Sequence, residues 1–306
     1  PPPADKRAVV DSYHGVELTD PYRWLEDVNA PETQQWMKAA ASNARATLDA
    51  IPGRDALLAR IVQLEAATAA RIGRVLRLPG DRWVYEKREA NDNQFKIVMR
   101  QGLRGAERVL VDPAALSKAR GDKPVAVNHF SPSPDGRYLA YGISERGSEA
   151  ATLYVMDTRS GKQLGEPITR ADWGVARWSP DSRRFSFNRL KPEGGDRLTK
   201  YQGSASWLLE VGQREAQARE LLGPNTRGVA VAPGEGPLVL FTDDGRWLIG
   251  LLEDGVRREA RVARVHEDAR DGDVAECEAI SHEVIVVAEL LLELGEPRPH
   301  VAAHLH

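Results

Sequence analysis

The serines of this chain are the first candidates for chemistry, because a hydrolase with a serine nucleophile carries a recognisable sequence pattern. An enzyme of the α/β-hydrolase type presents its serine within G-x-S-x-G, followed by an acid and a histidine. The segment GISERG (142–147) has the wrong spacing after Ser144, and QGSASW (202–207) lacks a closing glycine after Ser206. We therefore predict no catalytic residue within these 306 residues.

Histidines near the C-terminus are the next candidates. In HVAAHLH (300–306), His300 and His304 would share one face of a helix, as a pair of metal ligands requires. No third ligand of clear spacing accompanies them, so an exposed tail explains the segment better and no metal is predicted. His129 precedes a predicted turn and is interpreted as a strand-end residue.

Two pairs of acids could suggest general acid–base catalysis. Asp243 and Asp244 are better explained by a surface turn, and Glu26 and Asp27 by a segment entering a helix. Neither a phosphate-binding loop nor a dinucleotide glycine fingerprint occurs, so no cofactor is predicted.

Bulk composition narrows the functional classes. Charged residues make up 28% and the net charge is −3, which lacks the basic footprint of a nucleic-acid binder. No apolar stretch reaches membrane-spanning length, since the best run (284–294) is short and contains two glutamates. The single cysteine, Cys277, suits the cytoplasm or the periplasm. We expect the cytoplasm, or the periplasm if an N-terminal signal has been removed.

Helix formers dominate residues 29–70. Pro31 and Glu32 suit a first helical turn, and Pro52-Gly53 interrupts the pattern. The sequence predicts helices over about 31–49 and 54–69. The second helix carries an apolar stripe at helical spacing: Leu57, Leu58, Ile61, Val62 and Leu64.

Short alternating runs bounded by turn residues replace the helical pattern after residue 72, and they predict strands. They are 82–88, 94–100, 108–112, 137–143, 151–157, 184–190, 237–241 and 246–252. The seven tryptophans follow helix and strand positions and are interpreted as core residues: Trp24, Trp36, Trp83, Trp173, Trp178, Trp207 and Trp247.

An internal repeat organises these strands. SPDGRYLAYG (133–142) aligns without a gap with SPDSRRFSFN (179–188), TDDGRWLIGL (242–251) is a third copy, and LPGDRWVYEK (78–87) is a looser fourth. A period of about 40–60 residues is typical of β-propeller blades, with a β-sandwich as the alternative. One repeat position is always arginine, for which a structural role is favoured over ligand binding: Arg82, Arg137, Arg183 and Arg246.

Specific segments resemble the prolyl oligopeptidase family of serine peptidases. They are YHGVELTDPYRWLED (13–27), IPGRDALLARIVQL (51–64), the SPDG repeats, DWGVARWSPDSRRFSFNRLKP (172–192) and KYQ (200–202). The resemblance covers roughly residues 8–255. It implies an N-terminal segment packed on a C-terminal α/β-hydrolase domain, with a seven-bladed propeller between them in sequence. The propeller would admit only short peptides, which such enzymes cleave after proline.

On this resemblance, DPYRWLED (20–27) is a docking segment. Its apolar residues would bury against the hydrolase domain or the first helix, and its charged residues would orient it. The apolar residues are Tyr22, Trp24 and Leu25, and the charged ones are Asp20, Arg23, Glu26 and Asp27. The expected partners are therefore short proline-containing peptides and a hydrolase domain outside this chain.

The overall expectation is a mainly β protein, with about four blades of a seven-bladed propeller preceded by a helical segment. We expect a docking segment at 1–71, propeller blades at 72–265 and a divergent tail at 266–306, with one helix near 275–294. The tail is typical of out-of-frame translation, which predicts a truncated and inactive family member. A stand-alone propeller that binds a peptide or protein is the alternative, and a hydrolase with an unrecognised site is a third.

Overall fold

A computed structural model of the chain describes residues 2–90, 92–192, 199–254, 259–265 and 274–281. The chain forms two compact units, Pro1–Ala69 and Ala70–His306. We call them the N-terminal unit and the blade unit. The division predicted from sequence, at 71/72 and 265/266, stays a prediction.

The N-terminal unit begins with a β-hairpin that the sequence analysis missed. Strands β1 (Val9–Tyr13) and β2 (Val16–Asp20) pair antiparallel through a two-residue turn. Both turn residues are left-handed, with φ of 53° at His14 and 82° at Gly15. This is the geometry of the tight hairpin turn that matches strand twist, and the His-Gly dipeptide was its signal in the sequence.

Two helices complete this unit, and both were predicted. Helix α1 spans Pro31–Asp49, with proline in its first turn, and α2 spans Arg54–Ala66. Gly53, at φ +81°, takes the left-handed conformation between them. Among the described residues of this unit, Thr33 alone is buried, with its hydroxyl 3.2 Å from the carbonyl oxygen of Trp24.

Within the described residues, the blade unit contains four antiparallel sheets of four strands each, and each sheet is a meander of consecutive strands. Blade 1 holds β3 (Ala70–Leu78), β4 (Arg82–Glu89), β5 (Lys96–Gln101) and β6 (Glu107–Val111). Helix α3 (Pro113–Ala119) follows, capped by the Asp112 carboxylate. Blade 2 holds β7 (Val125–Pro132), β8 (Tyr138–Glu145), β9 (Thr152–Asp157) and β10 (Gln163–Ile168).

Blades 3 and 4 repeat the arrangement. Blade 3 holds β11 (Arg177–Trp178), β12 (Arg184–Arg189), β13 (Ala205–Glu210) and β14 (Arg219–Leu222). Blade 4 holds β15 (Glu235–Phe241), β16 (Leu248–Asp254), β17 (Glu259–Val265) and β18 (Val274–Ser281). The prediction of a mainly β, bladed fold is thus confirmed.

The sequence repeat is the turn between the first and second strands of each blade, together with the second strand. In blade 2 the Ser133 hydroxyl donates to Asp135 at 2.7 Å and accepts from the amide of Tyr138 at 2.9 Å. Ser179 with Asp181 in blade 3, and Thr242 with Asp244 in blade 4, form the same pattern. Each hydroxyl and carboxylate therefore stabilises its turn locally.

One position in this turn is left-handed in all four blades. The residues there are Asp81, Gly136, Ser182 and Gly245, with φ between 55° and 67°. Glycine adopts this conformation without steric cost, whereas Asp81 and Ser182 adopt it under strain. At Gly136, a Cβ would approach Leu78 of blade 1 to 2.8 Å. The position therefore also brings neighbouring blades into close contact.

Among the described residues, three hydrophobic clusters lie between neighbouring blades, and a fourth, around Leu240 and Leu251, lies within blade 4. Blades 1 and 2 share one cluster, which includes Val84 and Phe130. Blades 2 and 3 share a second around Leu153 and Phe187, and blades 3 and 4 share a third around Leu222. Each blade thus buries its apolar faces against its neighbours, as repeat architectures do.

One predicted element is wrong over its described part. Val274–Ser281 is a strand paired with β17, where a helix near 275–294 was predicted. The rest of that helix, and residues 300–306, lie outside the described residues. Cross-strand pairing decides this segment, and pairing between distant segments is not visible in a local pattern.

Candidate functional site

The two serines considered as nucleophiles are both buried. Ser144 is 2% exposed on β8, and Ser206 is 0% exposed on β13. Neither side chain is accessible to a substrate on the surface. The absence of a catalytic residue stays a prediction, and the structure adds no candidate nucleophile at either serine.

One aspartate of each acidic pair accepts a hydrogen bond from a nearby backbone amide. Asp244 accepts from the Thr242 hydroxyl at 2.6 Å and from the amide of Arg246 at 3.0 Å. The Thr242 bond above all holds the pKa of Asp244 below its usual value. Asp27 accepts from the amide of Asn29 at 3.0 Å. These bonds agree with the structural interpretation of both pairs.

The repeated arginines also have local roles. The amides of Arg137, Arg183 and Arg246 each donate to the aspartate two residues earlier, at 2.9–3.1 Å. In blade 1 the Arg82 guanidinium instead reaches the carbonyl oxygen of Asp135, at 2.5 Å. A structural role for this repeat position is therefore supported.

His129 lies buried in blade 2, which was not foreseen from its interpretation as a strand-end residue. It is 6% exposed. The His129 ring packs directly against Gly142, because a Cβ added to Gly142 would lie only 2.3 Å from His129 Nε2. Burial above all lowers the pKa of His129, the backbone of Ala171 opposes this shift, and the nearby Arg74 adds to it.

Trp173 is an exposed exception to the interpretation of the tryptophans as core residues. It is 50% exposed, and Trp247 is 37% exposed, whereas Trp178 is buried as predicted. Trp173 lies in a tight turn that precedes β11, closed by the Gly174 amide donating to the Ala171 carbonyl at 2.9 Å. A Cβ on Gly174 would approach the Asn188 carbonyl to 3.0 Å, so this turn requires glycine.

Tyr201, from the segment before β13, stacks on Trp173. The ring centroids are 5.0 Å apart and the planes differ by 18°. Tyr201 is 41% exposed, so each of the two rings keeps much of its area open to solvent. We call this pair the aromatic platform. The amide of Gly203 donates to the carbonyl of Pro233 at 2.8 Å, which fixes the Tyr201 segment against the connection to blade 4.

An ion pair borders the aromatic platform. Lys200 Nζ lies 2.8 Å from Asp172 Oδ2. Asp172 precedes Trp173 and Lys200 precedes Tyr201, so the ion pair links the two segments that carry the rings. Lys200 Nζ also lies 3.4 Å from the Tyr201 hydroxyl and 4.8 Å from its ring centroid. Two rigid rings with a polar edge form a surface suited to an apolar ring of a peptide.

The second candidate surface is in the N-terminal unit, whose large apolar residues are exposed. The stripe predicted on α2 is intact but open to solvent, from 47% exposure at Ile61 to 62% at Leu57. The hairpin exposes Val10, Tyr13, Val16 and Leu18 in the same way. An accumulation of exposed apolar residues of this kind marks an interaction surface.

The DPYRWLED segment is organised by polar contacts. Asp20 accepts from the amide of Tyr22 at 2.8 Å and from Arg23 Nε at 3.0 Å. The bond from the Tyr22 amide lowers the pKa of Asp20 most, and the bond from Arg23 lowers it further. Arg23 also pairs with Asp11 of the hairpin. The orientation of a docking segment by these charged residues stays a prediction.

The aromatic residues of DPYRWLED are only partly covered. Trp24 Nε1 donates to the carbonyl of Asp5 at 2.9 Å, and the guanidinium of Arg7 stacks 4.7 Å from its ring. Tyr22 remains 39% exposed. Their burial against a hydrolase domain stays a prediction.

The part of the chain that the structure describes contains neither a candidate metal cluster nor a candidate membrane-spanning helix. No group of three or more histidine, cysteine or acidic side chains could hold an ion there. In those same ranges, none of the helices combines the length and apolar character needed to cross a membrane.

Four blades of consecutive antiparallel strands, with cores between neighbours, define a β-propeller protein. The family model of the prolyl oligopeptidase N-terminal β-propeller domain matches residues 1–287. The chain belongs to the prolyl oligopeptidase family. The resemblance recognised from sequence is thereby confirmed, and the match extends beyond residue 255, where that resemblance ended.

Known proteins agree with this assignment. A prolyl endopeptidase from Elizabethkingia meningoseptica is 26% identical over 263 residues, covering 81% of this chain and 34% of the relative. A solved structure from an analysis of two prolyl endopeptidases is 27% identical with a TM-score of 0.77, over 89% of this chain and 39% of the other. The chain thus spans about a third of the length of its curated relative.

A further solved structure shows the same fold. It is prolyl oligopeptidase B from Galerina marginata, bound to a 35mer hydrolysis and macrocyclization substrate. It is 20% identical with a TM-score of 0.71, and the match covers 92% of this chain and 41% of that one.

Proposed function

We propose that this chain is the substrate-gating, non-catalytic part of a prolyl-oligopeptidase-type serine peptidase, which cleaves short peptides after proline. The aromatic platform would contact the peptide, and the exposed face of the N-terminal unit would dock an α/β-hydrolase domain. Cleavage would need that domain, because G-x-S-x-G is missing from the 306 residues. We place this activity in the cytoplasm, with the periplasm as the alternative.

The exposed stack of Trp173 on Tyr201 is the observation that carries this proposal. Large aromatic side chains are costly to leave in water, and burying one contributes about 1.5–3 kcal/mol. Two such rings fixed by a required glycine and an ion pair are preorganised, so little ordering entropy opposes binding. A proline ring, compact and apolar, is the part of a peptide that this surface fits.

Peptide binding tests the proposal. A proline-containing tetrapeptide should change the tryptophan fluorescence of the wild-type chain. Trp173→Ala should weaken binding about five- to tenfold, the size of a lost aromatic contact. Trp247→Ala is the matched control, since Trp247 is also exposed but lies in the repeat turn of blade 4. Equal affinities for wild type and Trp173→Ala would contradict the proposal.

Docking has its own test. A hydrolase domain of this family, added as a separate chain, should co-sediment with the wild-type protein and restore cleavage after proline. Replacing Leu57 and Leu58 by serine should weaken this association. The isolated chain should leave a fluorophosphonate probe unreacted, and labelling of one serine would instead show an active site within it.

The alternative is a stand-alone propeller that binds a peptide or protein without catalysis. The same aromatic platform favours it, because the platform requires no hydrolase domain. Peptide binding without any association with the hydrolase domain would select this alternative.

A further inference from the structure

Lys200 and Asp172 beside the aromatic platform are unequal in exposure. The Asp172 side chain is 5% exposed, whereas that of Lys200 is 41% exposed. The carboxylate is thus shielded by the protein and the ammonium faces solvent. A peptide on the platform would therefore meet the positive member of the pair.

The ammonium is charged and has donor capacity left for a ligand. The bond to Asp172 above all raises the pKa of Lys200, so the group stays protonated at neutral pH. An ammonium has three N–H donors, and two contacts are observed, to Asp172 and to the Tyr201 hydroxyl. The remaining donor can bind an anionic oxygen.

The neighbouring acid of blade 4 does not cancel this charge at the surface. Glu235 precedes Gly236, at which a Cβ would lie 3.8 Å from the Trp173 ring. The Glu235 side chain is 4% exposed and pairs with Arg261 at 3.0 Å. It also accepts from the amide of Ala232 at 2.7 Å. Its charge is therefore buried and neutralised.

From this geometry we infer that the aromatic platform selects proline-containing peptides that carry a carboxylate close to the proline. This inference rests on the proposed function of the platform. Lys200 Nζ is 4.8 Å from the Tyr201 ring centroid, while one extended residue spans about 3.3–3.6 Å. A carboxylate one or two residues from a stacked proline ring therefore reaches the ammonium. An acidic side chain and the C-terminal carboxylate of a short peptide supply the same chemistry.

Two pairs of acetylated peptides separate these sources. The first pair is Gly-Pro-Asp-Gly-amide against Gly-Pro-Asn-Gly-amide, and the second is Gly-Pro-Gly with a free against an amidated C-terminus. Titrations of the full chain at pH 7 and low salt should show the charged member of at least one pair binding about three- to fivefold more tightly, as one partly exposed ion pair allows. The pair that shows the preference identifies the source. Added salt should reduce it.

Variants assign the effect to Lys200. Lys200→Met should abolish the preference for the charged member of each pair, while Lys200→Arg, which keeps the positive charge, should retain the preference. Lys123→Met, at an exposed lysine of another segment, should behave as wild type. A preference that survives in Lys200→Met would overturn the inference.

The wild-type comparison needs no variant. Equal affinities for the charged and neutral members of both pairs would overturn the inference and leave the proposed function standing. If no peptide binds at all, the proposed function fails and the inference fails with it.

Discussion

The N-terminal unit and the blade unit use similar apolar residues in opposite ways. In the blade unit, Phe185 and Phe187 are at most 1% exposed, within a core shared by two blades. In the N-terminal unit, Leu57 and Val62 are 62% and 57% exposed on α2. The difference shows where the stabilising free energy lies. The blades bury their apolar surface against each other, whereas the helices leave theirs exposed.

The largest expected effect comes from the core between blades 2 and 3. Phe187→Ala should lower the free energy of unfolding by about 3–5 kcal/mol, because it removes a fully buried ring and leaves a cavity. Leu58→Ala in the N-terminal unit should cost less than about 0.5 kcal/mol, as an exposed substitution does. Urea unfolding measures both. Similar losses at the two sites would break the comparison.

Gly142 tests how closely the inner blade strands are packed. Gly142→Ala should destabilise the protein by about 1–3 kcal/mol, because its Cβ would meet the His129 ring at 2.3 Å. Gly234→Ala is the matched control, since a Cβ there meets no atom within 4 Å. Combining Gly142→Ala with His129→Ala should cost less than the sum of the two, and strict additivity would contradict the assigned contact.

His129 should make the blade unit sensitive to mild acid. Its folded-state pKa lies below the value of 6.5 expected when unfolded, so the fold favours the neutral ring. The neutral His129 ring therefore makes its full contribution to the stability of the fold above pH 6.5. Stability should fall as the pH drops below this value, by at most about 1.4 kcal/mol per pH unit. Thermal melts between pH 7.5 and 5 measure the slope.

Two variants test whether His129 causes this dependence of stability on pH. His129→Gln should flatten it, because the side chain no longer titrates. His14→Asn should leave it unchanged, since His14 is exposed and asparagine favours its left-handed turn. A slope that persists in His129→Gln would place the titrating group elsewhere.

The smallest expected change in stability is in the N-terminal unit. Replacing Leu57 and Val62 by serine should leave the urea midpoint nearly unchanged, within about 0.5 kcal/mol of stability. It should nevertheless reduce the fluorescence of a dye that binds apolar surfaces, because two exposed side chains are removed. A large loss of stability would show that these residues are covered in solution.

Elements with strong local signals could be predicted from the sequence. Helix α1 was predicted with its observed ends, since proline at its start and Pro52-Gly53 beyond its end are local signals. The repeat turns were found because Ser/Thr-x-Asp bonds form within five residues. Strands β3 and β7 were missed, since arginine or asparagine interrupts their apolar pattern and pairing with β4 and β8 defines them.

The candidate site was less predictable. The segments DWG and KYQ resemble those of the family, but nothing in the local sequence indicates that Trp173 and Tyr201 stack. The two residues lie 28 positions apart, and the turn at Gly174 and the bond of Gly203 to Pro233 bring them together. The exposure of Trp173 also follows from this packing and is not visible in its residue type.

The links between the repeat turns have a consequence for the order of events during synthesis. The Arg82 guanidinium donates to the carbonyl of Asp135, which lies 53 residues later in the chain. The amide of Asp135 in turn donates to the hydroxyl of Ser182, 47 residues later. At about 5–20 residues per second, the partner of each of these two turns is synthesised about 2–11 seconds after the turn itself. If translation paused at rare codons after blade 2, the turn of that blade would lack its partner Ser182 and would be exposed to chaperones. Each of these turns would thus be completed only when the next blade is synthesised.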